Sequence, residues 1–189
     1  MIDAAQSRRG LWIAVAAFVI WGLMPLYFRL MAPATAIEVV AHRIVWSLAL
    51  LLLWLGVRGQ LGPLWRRLDA AQLARFALAA LLVSINWLTY VWAVTHGRTL
   101  DASLGYFLLP LFNVALGVLL LGERLTRGEW IGVMLAALGV GYLALVSPRL
   151  PWVALVLAAS FGVYGLVKKQ TELPAAEGMA LETGLIALP

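Results

Sequence analysis

Trp12-Ile-Ala-Val-Ala-Ala-Phe-Val-Ile-Trp-Gly22 and Trp152-Val-Ala-Leu-Val-Leu-Ala-Ala-Ser-Phe-Gly162 carry one pattern twice, 140 residues apart. Each copy is followed by a turn, a proline and an acidic residue: Pro33 with Glu38, then Pro174 with Glu177. Both copies are free of charge, as a helix in hydrocarbon must be. If five spans lie between the two starts, the second copy enters the bilayer from the opposite side. That is the arrangement of an inverted repeat.

Composition supports a membrane setting. The chain has 189 residues, 63% apolar and 12% charged, with a mean hydropathy of +0.94. A soluble domain carries about 25% charged residues and must present many residues to water. A soluble enzyme, a disordered chain, a disulfide scaffold and a nucleic-acid module all fit poorly. The net charge of +5 comes from short arginine clusters between apolar runs, the pattern of cytoplasmic loops rather than of a nucleic-acid face. Cysteine is absent, and His42 and His96 are too far apart to suggest a local metal motif. No cofactor is expected.

Apolar windows mark the spans: about 10–31 (charge-free over Gly10–Phe28), 35–57 (which carries Glu38 and Arg43), and the charge-free 76–97, 102–122 and 130–148, then 150–167. These make six complete helices, with a seventh beginning near Ala175. Each is long enough for a hydrocarbon core of about 30 Å. Placing the N-terminus in the cytoplasm puts ten basic residues inside: Arg8, Arg9, Arg58, Arg66, Arg67, Arg75, Arg124, Arg127, Lys168 and Lys169. Only three, Arg29, Arg98 and Arg149, fall outside. This is a strong positive-inside bias, and it predicts a multi-pass protein of the inner (plasma) membrane. A cleaved leader ending at Ala32-Pro33-Ala34 competes for the first span, but that apolar run exceeds the usual length of about 7–15 residues and Arg29 interrupts it.

Polar residues inside the spans are the candidate site. Pro25 frees the Trp21 carbonyl, and Pro110 frees that of Tyr106. On the second span Glu38, His42 and Trp46 share a face. Glu38 and His42, four apart, are positioned to bond and to take part in charge or proton coupling. The competing role for Glu38 is a capping box with Thr35. Arg43 lies about 12 Å along the helix from Thr35, where an arginine costs about 2.5–3.5 kcal/mol and should face the interior or water. Asn86 is central to the third span and can bond across helices. Ser103, Tyr106, Pro110, Asn113 and Gly117 fall within about 80° of the fourth. Trp21, Arg43, Asn86, Tyr90, Tyr106 and Asn113 are the expected lining of a substrate pathway. Gly128-x3-Gly132-x3-Ala136, with Gly139 and Gly141 beyond, gives the fifth span small residues four apart, suited to scaffold packing or a homodimer seam. Acids cluster at span ends, and the sequence contains no P-loop, Gly-x-Ser-x-Gly or His-Glu-x-x-His motif. The expected class is not an enzyme.

Glu38-x3-His42-Arg43-x2-Trp46-Ser47, Ala102-Ser-Leu-Gly-Tyr-Phe107 with Pro110, and Leu121-Gly-Glu123-Arg124 resemble the RarD branch of the EamA family, in the drug/metabolite transporter superfamily. Tyr164-Gly-Leu-Val-Lys-Lys169 is similar to the opening of that family's second half, and Asp101 stands where the resemblance leads one to expect Glu. The resemblance implies an all-helical permease of ten helices in two inverted five-helix repeats, from a branch associated with chloramphenicol sensitivity. Residues 1–147 would form the first EamA-type repeat, and 148–189 an incomplete start of the second. On this reading the chain alone cannot close a two-repeat pathway. The expected function is secondary-active passage of a small metabolite or drug across the lipid bilayer. The other reading is a non-transporting membrane assembly subunit that oligomerises through small-residue faces.

The charge bias makes a direct prediction. Alkaline phosphatase fused after Arg98 will be active, and the same enzyme fused after Gln60 or Arg124 will be inactive. The reverse pattern in whole cells refutes the topology.

Overall fold

The computed structural model describes residues 4–31, 33–66, 68–146, 151–171 and 173–187. The expected leader cleavage at Ala32 and the span end at Pro148 lie outside the described residues. Within them the chain is all helix, with no strand: α1 Ala4–Leu30, α2 Ala36–Val57, α3 Leu61–Arg66, α4 Ala70–Thr95, α5 Thr99–Leu121, α6 Arg127–Val146, α7 Trp152–Lys169 and α8 Ala175–Ala187. Among the described residues, α1 (over Gly10–Leu30), α2, α4, α5 and α7 are long and apolar enough to cross a membrane.

Local chemistry sets the helix ends. At the start of α2 the Thr35 amide and hydroxyl donate to the Glu38 carboxylate at 2.7 and 2.9 Å, while the Glu38 amide donates back to Thr35 Oγ1 at 3.3 Å. This capping box serves two of the amides a helix start leaves open. Asp69 starts α4 by accepting from the Gln72 amide at 2.6 Å. That cap lies seven residues before the apolar window at Phe76, because lipid sets the window whereas hydrogen bonding sets the helix. α5 ends at Gly122, whose φ of +66° is the left-handed turn that glycine adopts without strain. Pro25 and Pro110 both lie inside continuous helices. The loop expected at 58–75 contains the short helix α3.

α4 is the central helix and contributes to three apolar clusters. Val91 and Val94 pack with Phe28, Val39, Val40 and Ile44 of α1 and α2. Phe76 packs with Leu55, Leu64, Ala180 and Leu181. Ala93 packs with Ala102 of α5 and with Val153 and Leu157 of α7. α7 lies against both α5 and α4, and α8 against both α2 and α4. α1 and α6 sit at the periphery, and their large apolar side chains, such as Trp12, Phe18, Leu135 and Leu138, are exposed.

The α5–α7 contact is close because of Gly105. A Cβ there would lie 2.9 Å from Leu157 Cβ and 3.2 Å from the Ala154 carbonyl oxygen. Backbone on one side and a branched side chain on the other leave little room for relaxation. Around Gly128 and Gly132 of α6 nothing lies within 4 Å of the same position. We expect Gly105→Ala to destabilise the chain by about 1–3 kcal/mol in a reversible unfolding assay in detergent. Gly128→Ala should change it by less than about 1 kcal/mol.

Candidate functional site

Three of the expected pathway residues meet where α1, α2, α4 and α5 converge. The Arg43 guanidinium of α2 lies over the Trp87 ring of α4, 4.0 Å from its centroid. One turn further along α4, Tyr90 meets the Tyr106 ring of α5 edge-on at 5.9 Å. On its other side Tyr90 meets Phe28 of α1 at 6.0 Å. Arg43 and Tyr106 are close enough to interact electrostatically. Four rings and one guanidinium thus form an open cage with an apolar wall and a cationic corner, in which Arg43 and Tyr106 are exposed. A cation over an indole face is attracted by the ring quadrupole, the more so where water is scarce.

Asn86 and Asn113 lie apart from this cage. Asn86 is buried and donates from Nδ2 to the Leu157 carbonyl and to Ser160 Oγ, both at 3.0 Å. Ser160 Oγ in turn donates to the Val156 carbonyl at 2.6 Å. Asn86 therefore joins α4 to α7 across the bundle. Asn113 lines a cleft of about 170 Å³ between α5 and α7, with Gly117, Glu123, Gly162, Gly165 and Lys169. The stripe expected on the fourth span is thus divided. Tyr106 serves the cage, Asn113 and Gly117 serve the cleft, and Ser103 bonds back to the Thr99 carbonyl at 3.0 Å.

The remaining candidates stand outside both places. Trp21 is 62% exposed and meets Phe18 edge-on at 6.4 Å. Glu38 is held in its cap by Thr35, so of its two expected roles the structure displays the capping box and not a bond to His42. His42 is exposed.

Sequence reasoning missed a second charged group. Lys168 was expected only as a cytoplasmic loop cation, and acids only at span ends. Glu182, however, lies about 10 Å into α8 and is 2% exposed. Its carboxylate accepts from Lys168 Nζ at 2.8 Å and from the Tyr164 hydroxyl at 3.1 Å. Lys168 Nζ also lies 5.2 Å from the centroid of the Phe76 ring. A Cβ on Gly178 would come within 2.8 Å of that nitrogen. The signal available was Glu177-x4-Glu182 inside an apolar stretch, since an acid within a span needs a partner. At the other end of α7, Arg98 binds Asp101 at 2.7 Å and lies over the rings of Trp92 and Trp152, which are 5.2 Å apart.

The model of the EamA-like transporter family matches residues 8–145. The chain belongs to that family. Relatives include the Protein RarD of Streptomyces exfoliatus, 44% identical over 97% of this chain and 59% of its own length. An uncharacterized transporter of Pseudomonas aeruginosa is 46% identical over 96% of this chain and 61% of its own length. A second protein of that organism, the chloramphenicol-sensitive protein RarD, is 36% identical over 97% and 62%. The chain therefore spans about three fifths of the length of the curated relatives it matches. No solved structure matches it. The EamA match covers the whole cage, whereas the Lys168–Glu182 pair lies in the part aligned only with the individual relatives.

Breaking a buried pair by removing one partner leaves the other charge uncompensated. We expect Lys168→Met to destabilise the chain by on the order of 3 kcal/mol, and Lys168→Met with Glu182→Leu to recover most of that loss. A double-mutant cycle from unfolding in detergent measures both.

Proposed function

We propose that this EamA-family chain belongs to a secondary-active permease of the cytoplasmic membrane, with its N-terminus in the cytoplasm. Its cargo would be a small metabolite or drug. Residues 1–147 would form the first five-helix repeat and 148–189 the start of the inverted second. One observation carries the reading: Arg43, Tyr90 and Tyr106, from three different helices, converge on one cage inside the span region. A polar group in lipid needs a partner or a wet cavity, and a pathway supplies the second. The packing of α7 and α8 against α2, α4 and α5 fits a binding region shared between two repeats. The name of the Pseudomonas aeruginosa relative makes chloramphenicol a reasonable first probe.

A second reading is favoured by α6. Its glycines at 128, 132 and 139 share one side and have open space where a Cβ would be, so this side of the helix is free to take another helix. A membrane assembly subunit that oligomerises through α6 would use it in that way.

The test uses cells expressing the full-length gene product that contains this chain, with chloramphenicol accumulation as the readout. Arg43→Ala should reduce any change in accumulation at least about tenfold at equal expression, because it removes a charge-assisted contact. Asn113→Ala should reduce it less. Unchanged accumulation in both variants, together with a defined cross-linked dimer through α6, would favour the assembly subunit.

A further inference from the structure

Several charged groups of the span region have polar partners among the described residues. Glu38 is held by Thr35, Arg98 by Asp101 and Lys168 by Glu182, and Arg75 donates to the Gln170 carbonyl at 3.2 Å. Arg43 is different. It lies further from a helix end than any other described basic residue, and among the described residues no carboxylate pairs with it. Its neighbours are the face of Trp87 and the phenol of Tyr106. Arg43 is exposed at the flank of the helices, yet it lies within a span, and ring faces soften the cost of a cation there but leave its net charge in place. A permanent guanidinium at this depth therefore calls for an anion from outside the chain.

We propose that the Arg43 cage is a receptor for an organic monoanion, namely a small carboxylate carrying a flat apolar body. The charge follows from the count. One guanidinium, with no second cation in the cage, neutralises one negative charge and would leave a dianion in excess. The carboxylate follows from shape, because the planar fork of arginine matches two carboxylate oxygens with two parallel N–H···O bonds. The apolar body follows from the walls. Phe28, Trp87, Tyr90 and Tyr106 present rings meeting at 5.9–6.0 Å or holding the guanidinium at 4.0 Å, and a fully hydrated inorganic ion would gain nothing from them. This inference rests on reading the cage as part of the substrate pathway, and it names the class of cargo.

The experiment measures binding, not transport. The full chain in lipid nanodiscs is titrated with benzoate, with its neutral isostere benzamide and with inorganic phosphate, by calorimetry or ligand-observed NMR. We expect benzoate to bind at least about tenfold more tightly than benzamide, and phosphate not to displace it. Arg43→Gln should make benzoate and benzamide equal, whereas Arg43→Lys, which keeps the charge and loses the fork, should retain a reduced preference. The proposal is overturned if the unmodified chain binds neither probe, binds both equally, or loses benzoate to phosphate. It is also overturned if Arg43→Gln keeps the full preference. If Arg43→Gln does not fold, the comparison of probes on the unmodified chain and on Arg43→Lys still decides. A preference for benzoate without benzoate flux in cells would refute the permease reading and leave the receptor standing. Flux without that preference would do the opposite.

Discussion

Helices in lipid have little hydrophobic reason to associate, since the surrounding chains are as apolar as they are. Close packing and polar bonds have to hold them together, and α7 supplies both. It fits between α4 and α5, flush against Gly105, and receives the Asn86 bonds on its Leu157 carbonyl and Ser160 hydroxyl. With α7 in place, Val153 and Leu157 complete a cluster that includes Ala93 and Ala102. The turn after Lys169 then brings α8 back against α2 and α4, where Leu181 joins Phe76 and Leu55. α1 and α6 depend on this arrangement and contribute least to it.

The α4–α7 seam carries polar contacts at three depths. Trp92, Trp152 and Arg98 cluster at one end. Asn86 bonds across the middle, and Arg75 reaches the Gln170 carbonyl at the other end, near Lys168 and Glu182. Such contacts fix the register of two helices that apolar packing alone would allow to slide. The Arg43 cage lies beside this seam, since Tyr90 sits about 40° from Asn86 round α4 and also packs against the Ala93, Ala102, Val153 and Leu157 cluster.

The sequence made the helices easy to read and their partners hard to read. Apolar windows, charge-free everywhere but in α2, located every long helix, because exclusion of charge from hydrocarbon is a local property of the chain. Helix starts were read less well: Asp69 begins α4 ahead of its apolar window, where the cap and not the lipid decides. The capping box at Thr35 and Glu38 was legible because its spacing is local. Arg43 stood out because a lone charge in a span is costly wherever its partners lie. The convergence of Tyr90 with Tyr106, and the separation of both from Asn113, depend on how α4, α5 and α7 dock. No single-helix periodicity contains that information. Glu182 escaped notice because Lys168 had a sufficient explanation as a loop cation, and only the return of α8 brings the two together.

Asn86 and Ser160, bonded at 3.0 Å, are 74 positions apart in the chain. At a synthesis rate of about 5–20 residues per second, the asparagine is made roughly 4–15 s before the serine exists. During that interval α4 is already apolar and long enough to enter the bilayer, yet its carboxamide has nothing on α7 to bond. The newborn membrane helix must therefore be sheltered by the insertion machinery or by transient partners until α7 emerges. The staple that holds the finished bundle is, during biogenesis, the point at which the half-made one is most exposed to quality control.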